Sequence, residues 1–447
     1  MKFRLGFVGF LISITTQIHA ANLPVALNNS DFPTRNENLE QLGKLLFFDK
    51  ILSGNKNIAC STCHHPLAAS GDGLSLSIGE GGAGLGIGRN VGKGKNLIHA
   101  RIPRNAPPLF NIGTKEYTTM FHDGRVEVDQ NQISGFRSPA GNNLPLNIFD
   151  NSLQVQAMFP VTSVDEMAGN AGENAIADAG EKKDFVQVWT LLAKRLQSIP
   201  EYVTLFKRAF PTEIYQTKDI SYAHAAVAIG AFEAAAFRCD NSRFDKYLRG
   251  DKQALTVSEI KGMNLFYGEA GCGVCHQGAL QTDHNFHATA MPQIGSGKGD
   301  NQTGFNDGAD DFGRERVTKN TVDRFRFRTP SLRMVSITAP WGHSGAYNNL
   351  RTMIKHELNP VEELNHYDTK QAVLPFDSKL SAKDFVVQNN PVRCNAITEA
   401  SEITPSKISE QDLDSLIDFL HSLTDMDCVD LRRISPEKVP SKLSLTD

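Results

Sequence analysis

Cys60 and Cys63 stand three apart and are followed at once by His64, and the same arrangement returns at Cys272, Cys275 and His276. Two thiols on one turn beside an imidazole suit three chemistries: a zinc corner, a redox pair, or the covalent attachment of a haem. Zinc would need four converging ligands, commonly two CxxC pairs. Here a histidine follows each pair directly, the pattern in which two thioethers hold a porphyrin edge and the adjacent imidazole reaches the iron. Two copies behind an export signal, each preceded by a helical pattern, point to two c-type haems with His64 and His276 as proximal ligands. His65 is then a neighbour that meets solvent or a haem carboxylate.

The elements that must position these residues are mostly helical. Leu39, Leu42 and Leu46 form a stripe ahead of the first cysteine pair. Thr256 and Glu259 make a capping box before Ile260, Met263 and Phe266, so a helix also leads into the second pair. Phe185, Val188, Trp189, Leu192 and Leu196 mark another helix, and the alanine-rich run 219–238 reads as a long buried one. Ser409 and Asp412 cap a last helix that carries Leu413, Leu416, Ile417 and Leu420. Between them lie the Gly-, Asn- and Asp-rich stretches 71–113, 133–155 and 283–327, too long for simple connections. No strand alternation stands out. The predicted fold class is mostly α, with two cytochrome c-like haem domains and long irregular loops, and a boundary near residues 240–255. Gly79–Gly84 formally fits the dinucleotide pattern GxGxxG, but it follows no strand and opens no helix, so it reads as a flexible loop.

A chain of 447 residues can hold two or three domains, and a net charge of −4 argues against a nucleic-acid partner. Lys2 and Arg4 precede an apolar run that ends in small residues, so residues 1–20 are predicted to be a signal peptide cut near Ala20. The mature chain is then expected in the periplasm, and no apolar run beyond residue 20 is long enough for a membrane span. Of the remaining cysteines, Cys394 and Cys428 flank the last helical pattern and could pair, with Cys239 a buried thiol.

The segments "LGKLLFFDKILSGNKNIACSTCH", "RNAPPLFNIG", "DGRVEV", "QAMFPVTSVDEMAG", "FDKYLRGD", "GEAGCGVCHQG" and "FRTPSLRMVSITAPWGHSGAYNNL" occur in this order. From about residue 38 to 425 the chain resembles the bacterial dihaem cytochrome c peroxidase family, which includes the MauG-type enzymes that oxidise a partner protein. The resemblance implies a peroxidatic haem on Cys60, Cys63 and His64 in an N-terminal domain (21–248). It implies an electron-relay haem on Cys272, Cys275 and His276 in a C-terminal domain (249–447). Glu166 matches the family's distal carboxylate and Gln156 its distal-pocket glutamine; a carboxylate there could move a proton from the near to the far oxygen of peroxide. Asn105, Thr338 and Pro340 match positions that hold a calcium ion between the haem domains, and backbone carbonyls suit calcium.

The sequence departs from the family pattern at three places. Glu80 stands where many relatives carry a histidine that caps the peroxidatic iron, which implies an open iron face unless His99 substitutes. His122 stands where a tryptophan usually relays electrons, with Trp341 a second candidate. The sixth ligand of the relay haem would fall seven residues after Leu350, at Glu357; the neighbouring His356 is the stronger ligand chemically and is favoured, with Met353 a third candidate. His343 matches a family histidine near the haems and receives no ligand role. The implied function is a periplasmic dihaem peroxidase that reduces hydrogen peroxide with electrons from a small cytochrome c or a cupredoxin, with a homodimer allowed. The alternatives are a MauG-like oxidase acting on a protein substrate and a dihaem electron carrier without catalysis.

Overall fold

The computed structural model describes residues 23–94 and 97–446; the predicted signal peptide lies outside them. Helix α1 (Glu37–Phe48) is capped by the Asn36 side chain, which accepts from the Asn38 and Leu39 amides. Its buried face carries Leu42, Leu45, Leu46, Phe47 and Phe48. Helix α2 (Tyr222–Ala236) is buried on nearly every side, as its alanine-rich sequence requires. The two helices cross at Gly43, where a Cβ would stand 1.8 Å from the Ala228 carbonyl oxygen and 2.8 Å from Phe232 Cβ.

The second half repeats the device. Helix α3 (Val257–Phe266) opens on the Thr256/Glu259 capping box, and helix α4 (Leu350–Leu358) precedes α5 (Glu410–Ser422), which Ser409 caps. Helices α3 and α5 cross at Gly262, where a Cβ would stand 1.8 Å from the Ser415 carbonyl oxygen and 2.8 Å from Phe419 Cβ. In both halves the glycine meets a carbonyl and then the Cβ four residues on, and in both the cysteine pair follows the first helix. Cys60–Cys63 forms one helical turn and Cys272–Val274 a 3-10 turn.

Strands are short, as the missing alternation suggests. β1 (Thr119–Met120), β2 (Val126–Val128) and β3 (Phe136–Arg137) form one antiparallel sheet, with Met120 opposite Val126 and Val128 opposite Phe136. β4 (Phe286–His287) and β5 (Phe327–Arg328) form another, with Phe286 opposite Arg328.

One large core gathers around α1 and α2, and a second around α3 and α5. The tail returns to the first: Cys428, Leu431, Ile434 and Val439 pack there, and Ser441 Oγ donates to Asp49 at 2.6 Å. Residues 428–446 therefore leave the expected 249–447 unit. The same return corrects the cysteine pairing. The disulfide is Cys239–Cys428, and Cys394 is the buried free thiol. Flanking one helix brought no partner to Cys394, whereas the returning tail carries Cys428 to the end of the first core.

The long loops are held by buried ion pairs rather than left slack. Arg101 pairs with Asp384 at 2.8 Å, and Arg104 pairs with both Asp123 and Asp311 at 2.7 Å. The glycine run 79–84, expected to be flexible, is ordered around the buried Arg89, whose guanidinium donates to the carbonyls of Ile78, Gly79 and Gly84. No described helix is long and apolar enough to cross a membrane.

Candidate functional site

A cleft opens beside α2, lined by Cys60, Cys63, His64, Gln156 and Glu166. Much of its wall is apolar, including Ile58, Leu109, Met120, Val161 and Ile229. His64 Nδ1–H donates to the Ser70 carbonyl at 3.0 Å, which fixes the ring and leaves Nε2 with its lone pair. Burial lowers the pKa of His64, so the imidazole is neutral and ready to bind a metal. Two thiols, a pinned neutral imidazole and a largely apolar cleft fit a covalently held haem.

Glu166 sits on a single wide turn, Val164–Ala168, and lines the same cleft. Burial raises its pKa above the ordinary glutamate value, while Arg125 and Lys298 pull it back. Gln156 ends the short helix Ser152–Gln156. The wide turn rests on the 77–80 loop: the Glu80 amide donates to the Asp165 carbonyl at 3.3 Å, and a Cβ at Gly79 would stand 1.8 Å from that oxygen. The Glu80 carboxylate is turned to Asn55 and Asn57, accepting at 2.8 and 2.6 Å, and does not line the cleft. His99, the alternative iron cap, is exposed on the surface and also absent from the cleft wall. His122 does line the cleft; its Nε2–H donates to the Asn105 carbonyl at 3.1 Å, and burial with the nearby Arg104 pushes its pKa down to about 4.

At the second pair, His276 repeats the geometry of His64: Nδ1–H donates to the Gln281 carbonyl at 3.0 Å. His356, favoured as its partner across the second haem, is committed elsewhere. Its Nε2–H donates to the Thr289 carbonyl at 2.9 Å, and Nδ1 accepts from the Tyr347 hydroxyl at 2.9 Å. Met353 packs against the cluster of Met291, Ala346 and Tyr347. The remaining candidate, Glu357, is the charge that acts on both Cys272 and Cys275. Its carboxylate has no hydrogen-bond or ion-pair partner among the described residues, and burial pushes its pKa up to about 7. Glu357 keeps some open surface although protein atoms surround it. His356 is corrected for a plain reason: one step of a helix turns a side chain by about 100°, and the better ligand points the wrong way. Cys275, Asp283 and His287 also lie within 4.8 Å of one another and could hold a metal while that thiol is free.

Asn105 and Thr338 meet at a smaller cavity. Asp72 joins them, with a buried carboxylate oxygen that lacks a partner. Pro340 follows the neighbouring Ala339 but is not in the wall. These oxygens fit a calcium ion chemically. Trp341 packs in the second core, where its indole N–H donates to the Val335 carbonyl at 3.0 Å. His343 stacks on Phe327 at 3.7 Å.

Two groups in the first cleft escaped the sequence reasoning. Glu233 of α2 is buried with one unpartnered oxygen, and burial raises its pKa to about 8. A lone acid inside an alanine-rich helix was the available signal. Lys298 reaches the cleft from the 283–327 loop, and nothing in its local sequence marks it.

Three comparisons bear on this arrangement. The model of the di-haem cytochrome c peroxidase family matches residues 37–253. The cytochrome c551 peroxidase of Pseudomonas aeruginosa is 31% identical over 318 residues, 71% of this chain and 71% of that protein. The methylamine utilization protein MauG of Methylorubrum extorquens is 29% identical over 325 residues, 72% of this chain and 69% of that protein. Among solved structures, a MauG-like protein associated with microbial copper homeostasis superposes with a TM-score of 0.59 at 24% identity, covering 95% of this chain and 99% of that one. The diheme peroxidase BthA of Burkholderia thailandensis superposes at 0.55 with 19% identity, covering 89% and 88%. Both likenesses describe a shared, mostly helical fold.

Proposed function

The chain belongs to the di-haem cytochrome c peroxidase family, and from that premise we propose that it reduces hydrogen peroxide to water at the first cleft. Electrons would enter through the second haem from a small cytochrome c or a cupredoxin. The observation that carries this reading is one cleft shared by the inward-aimed imidazole of His64 and the half-buried carboxyl of Glu166. When bound, the haems supply the iron that accepts peroxide and the electrons that cleave it. Cys60 and Cys63 would hold the first haem by thioethers, and His64 Nε2 would be the imidazole nitrogen available to its iron. Cys272, Cys275 and His276 would do the same for the second.

Glu166 takes the proton of the near peroxide oxygen, and burial raises its pKa toward the working range for such a transfer. Gln156 offers an amide that can hold the peroxide in place. Glu80, tied to Asn55 and Asn57 and outside the cleft wall, would leave the face opposite His64 free of a protein ligand. That open face favours an enzyme over an electron carrier. Glu357, the unpartnered carboxyl near Cys272 and Cys275, would be the group available to the second haem besides His276. One calcium ion at Asn105, Thr338 and Asp72 would stiffen the join between the N-terminal and C-terminal haem domains. The chain would work in the periplasm.

A second reading, oxidation of a partner protein, gains from Glu357: a carboxylate in place of methionine would lower the potential of the second haem. The test is peroxide consumption by the holoprotein with a reduced cytochrome c or cupredoxin. Stoichiometric donor oxidation supports the peroxidase. Peroxide consumption without any small donor, accompanied by oxidised side chains on an added protein, favours the second reading. No consumption under either condition leaves only a carrier.

A further inference from the structure

Lys298 belongs to the second half of the chain but lines the first cleft together with His64 and Glu166. Its backbone is fixed from both sides. The Lys298 amide donates to the Asp310 carbonyl at 3.0 Å, and the Gly299 amide to the Gly308 carbonyl at 2.9 Å. The preceding Gly297 has φ +66°, and a Cβ there would stand 2.2 Å from the Ala309 carbonyl oxygen. One residue beyond this ladder, Asp311 is paired to Arg104. The loop is thus a rigid arm, and its tip delivers a primary amine.

That amine has no hydrogen-bond or ion-pair partner among the described residues. Burial, together with Arg104 and Arg125, pushes its pKa down to about 8, while Asp311 and Glu166 support the charge. A half-buried ammonium without a counter-ion is costly, so it suits a site where an anion arrives or develops. Asp123 and Asp165 also feel its charge, but neither bonds to it.

We propose that Lys298 is a further catalytic residue of peroxide reduction, placed to stabilise and protonate the oxygen that leaves. The inference rests on the peroxidase reading above. The O–O bond breaks, and two electrons come from the haems and ultimately the reduced donor protein. Glu166 holds the proton of the near oxygen, and the far oxygen departs with the bonding pair and takes a proton from Lys298 Nζ, leaving as water. Lys298 regains its proton from solvent, and the sum is one peroxide, two protons and two electrons giving two waters.

The test uses the oxidised holoprotein, titrated with azide (an anion) and with imidazole (neutral), and followed by the absorption of the first haem. The variants are Lys298→Met, Lys298→Gln and Lys298→Arg, compared at equal haem content. Removal of the charge should weaken azide about tenfold while imidazole changes less than about twofold, and Lys298→Arg should keep most of the affinity. The peroxide reaction should slow in the two neutral variants alone. Equal azide affinity in wild type and Lys298→Met overturns the inference. So does a variant whose haem potential moves while azide binding does not, because the amine would then pair with a haem carboxylate. If wild type binds neither ligand, the open face itself is wrong and the peroxidase reading fails first.

Discussion

The paired helix crossings make a prediction whose size follows from the structure. In Gly43→Ala the new methyl would sit 1.8 Å from the Ala228 carbonyl oxygen, 2.5 Å from its carbon and 2.8 Å from Phe232 Cβ. Comfortable contact needs about 3.5 Å, so α1 and α2 must part by more than about 1 Å along an interface that buries Leu42, Leu46 and Phe47. Overpacking of this kind costs about 1–3 kcal/mol, and the obstacle here is backbone, so the upper end applies: about 3 kcal/mol. Gly262→Ala should cost a similar amount, because its methyl would stand 1.8 Å from Ser415 O. Gly88→Ala is the control, since nothing lies within 4 Å of its Cβ; its effect should stay within about 0.5 kcal/mol. Guanidinium unfolding of the holoprotein is followed by the two haems separately. Gly43→Ala should loosen the first haem site at lower denaturant, and Gly262→Ala the second. Gly43→Ala unfolding within about 0.5 kcal/mol of wild type would refute the argument that close crossings set the clefts.

Glu166→Gln should slow the reaction with peroxide by about 10²- to 10⁴-fold in stopped-flow absorption, with the resting spectrum retained. Because the Glu166 pKa is raised, its carboxylate form exists only above that raised value. The acid limb of kcat/KM should therefore lie at higher pH than for an exposed glutamate. The Cys239–Cys428 bond closes a loop with a sequence separation of 189. Chain entropy for such a loop sets an upper bound of about 5 kcal/mol, so Cys239→Ala/Cys428→Ala should lower thermal stability, while Cys394→Ala should change it little. Glu357→Gln should change the absorption and EPR signature of the second haem. His356→Phe should leave that signature in place and cost stability through the lost Tyr347 and Thr289 bonds.

The sequence reading succeeded where chemistry is local. A CxxCH motif carries its own spacing, and the capping box at Thr256 and the N-cap at Ser409 mark helix starts without knowledge of the fold. Glu166 and Gln156 came from an ordered resemblance, and the structure brings both to the cleft of His64. What remained hidden depends on long-range return of the chain. Cys428 reaches Cys239 only because the tail folds back over the first core. Lys298 enters a cleft whose walls come mostly from residues 58–167, more than a hundred positions away. His356 failed for a finer reason: ligand strength was weighed without the direction of the side chain, and Tyr347 and Thr289 already hold both ring nitrogens.

The central claim is that the iron face opposite His64 is open and reacts with peroxide directly. The most direct measurement is the EPR and absorption spectrum of the fully oxidised holoprotein before and after one equivalent of peroxide, without prior reduction. A high-spin ferric signal that disappears on peroxide addition is the predicted result. Two low-spin signals that peroxide leaves unchanged would contradict it.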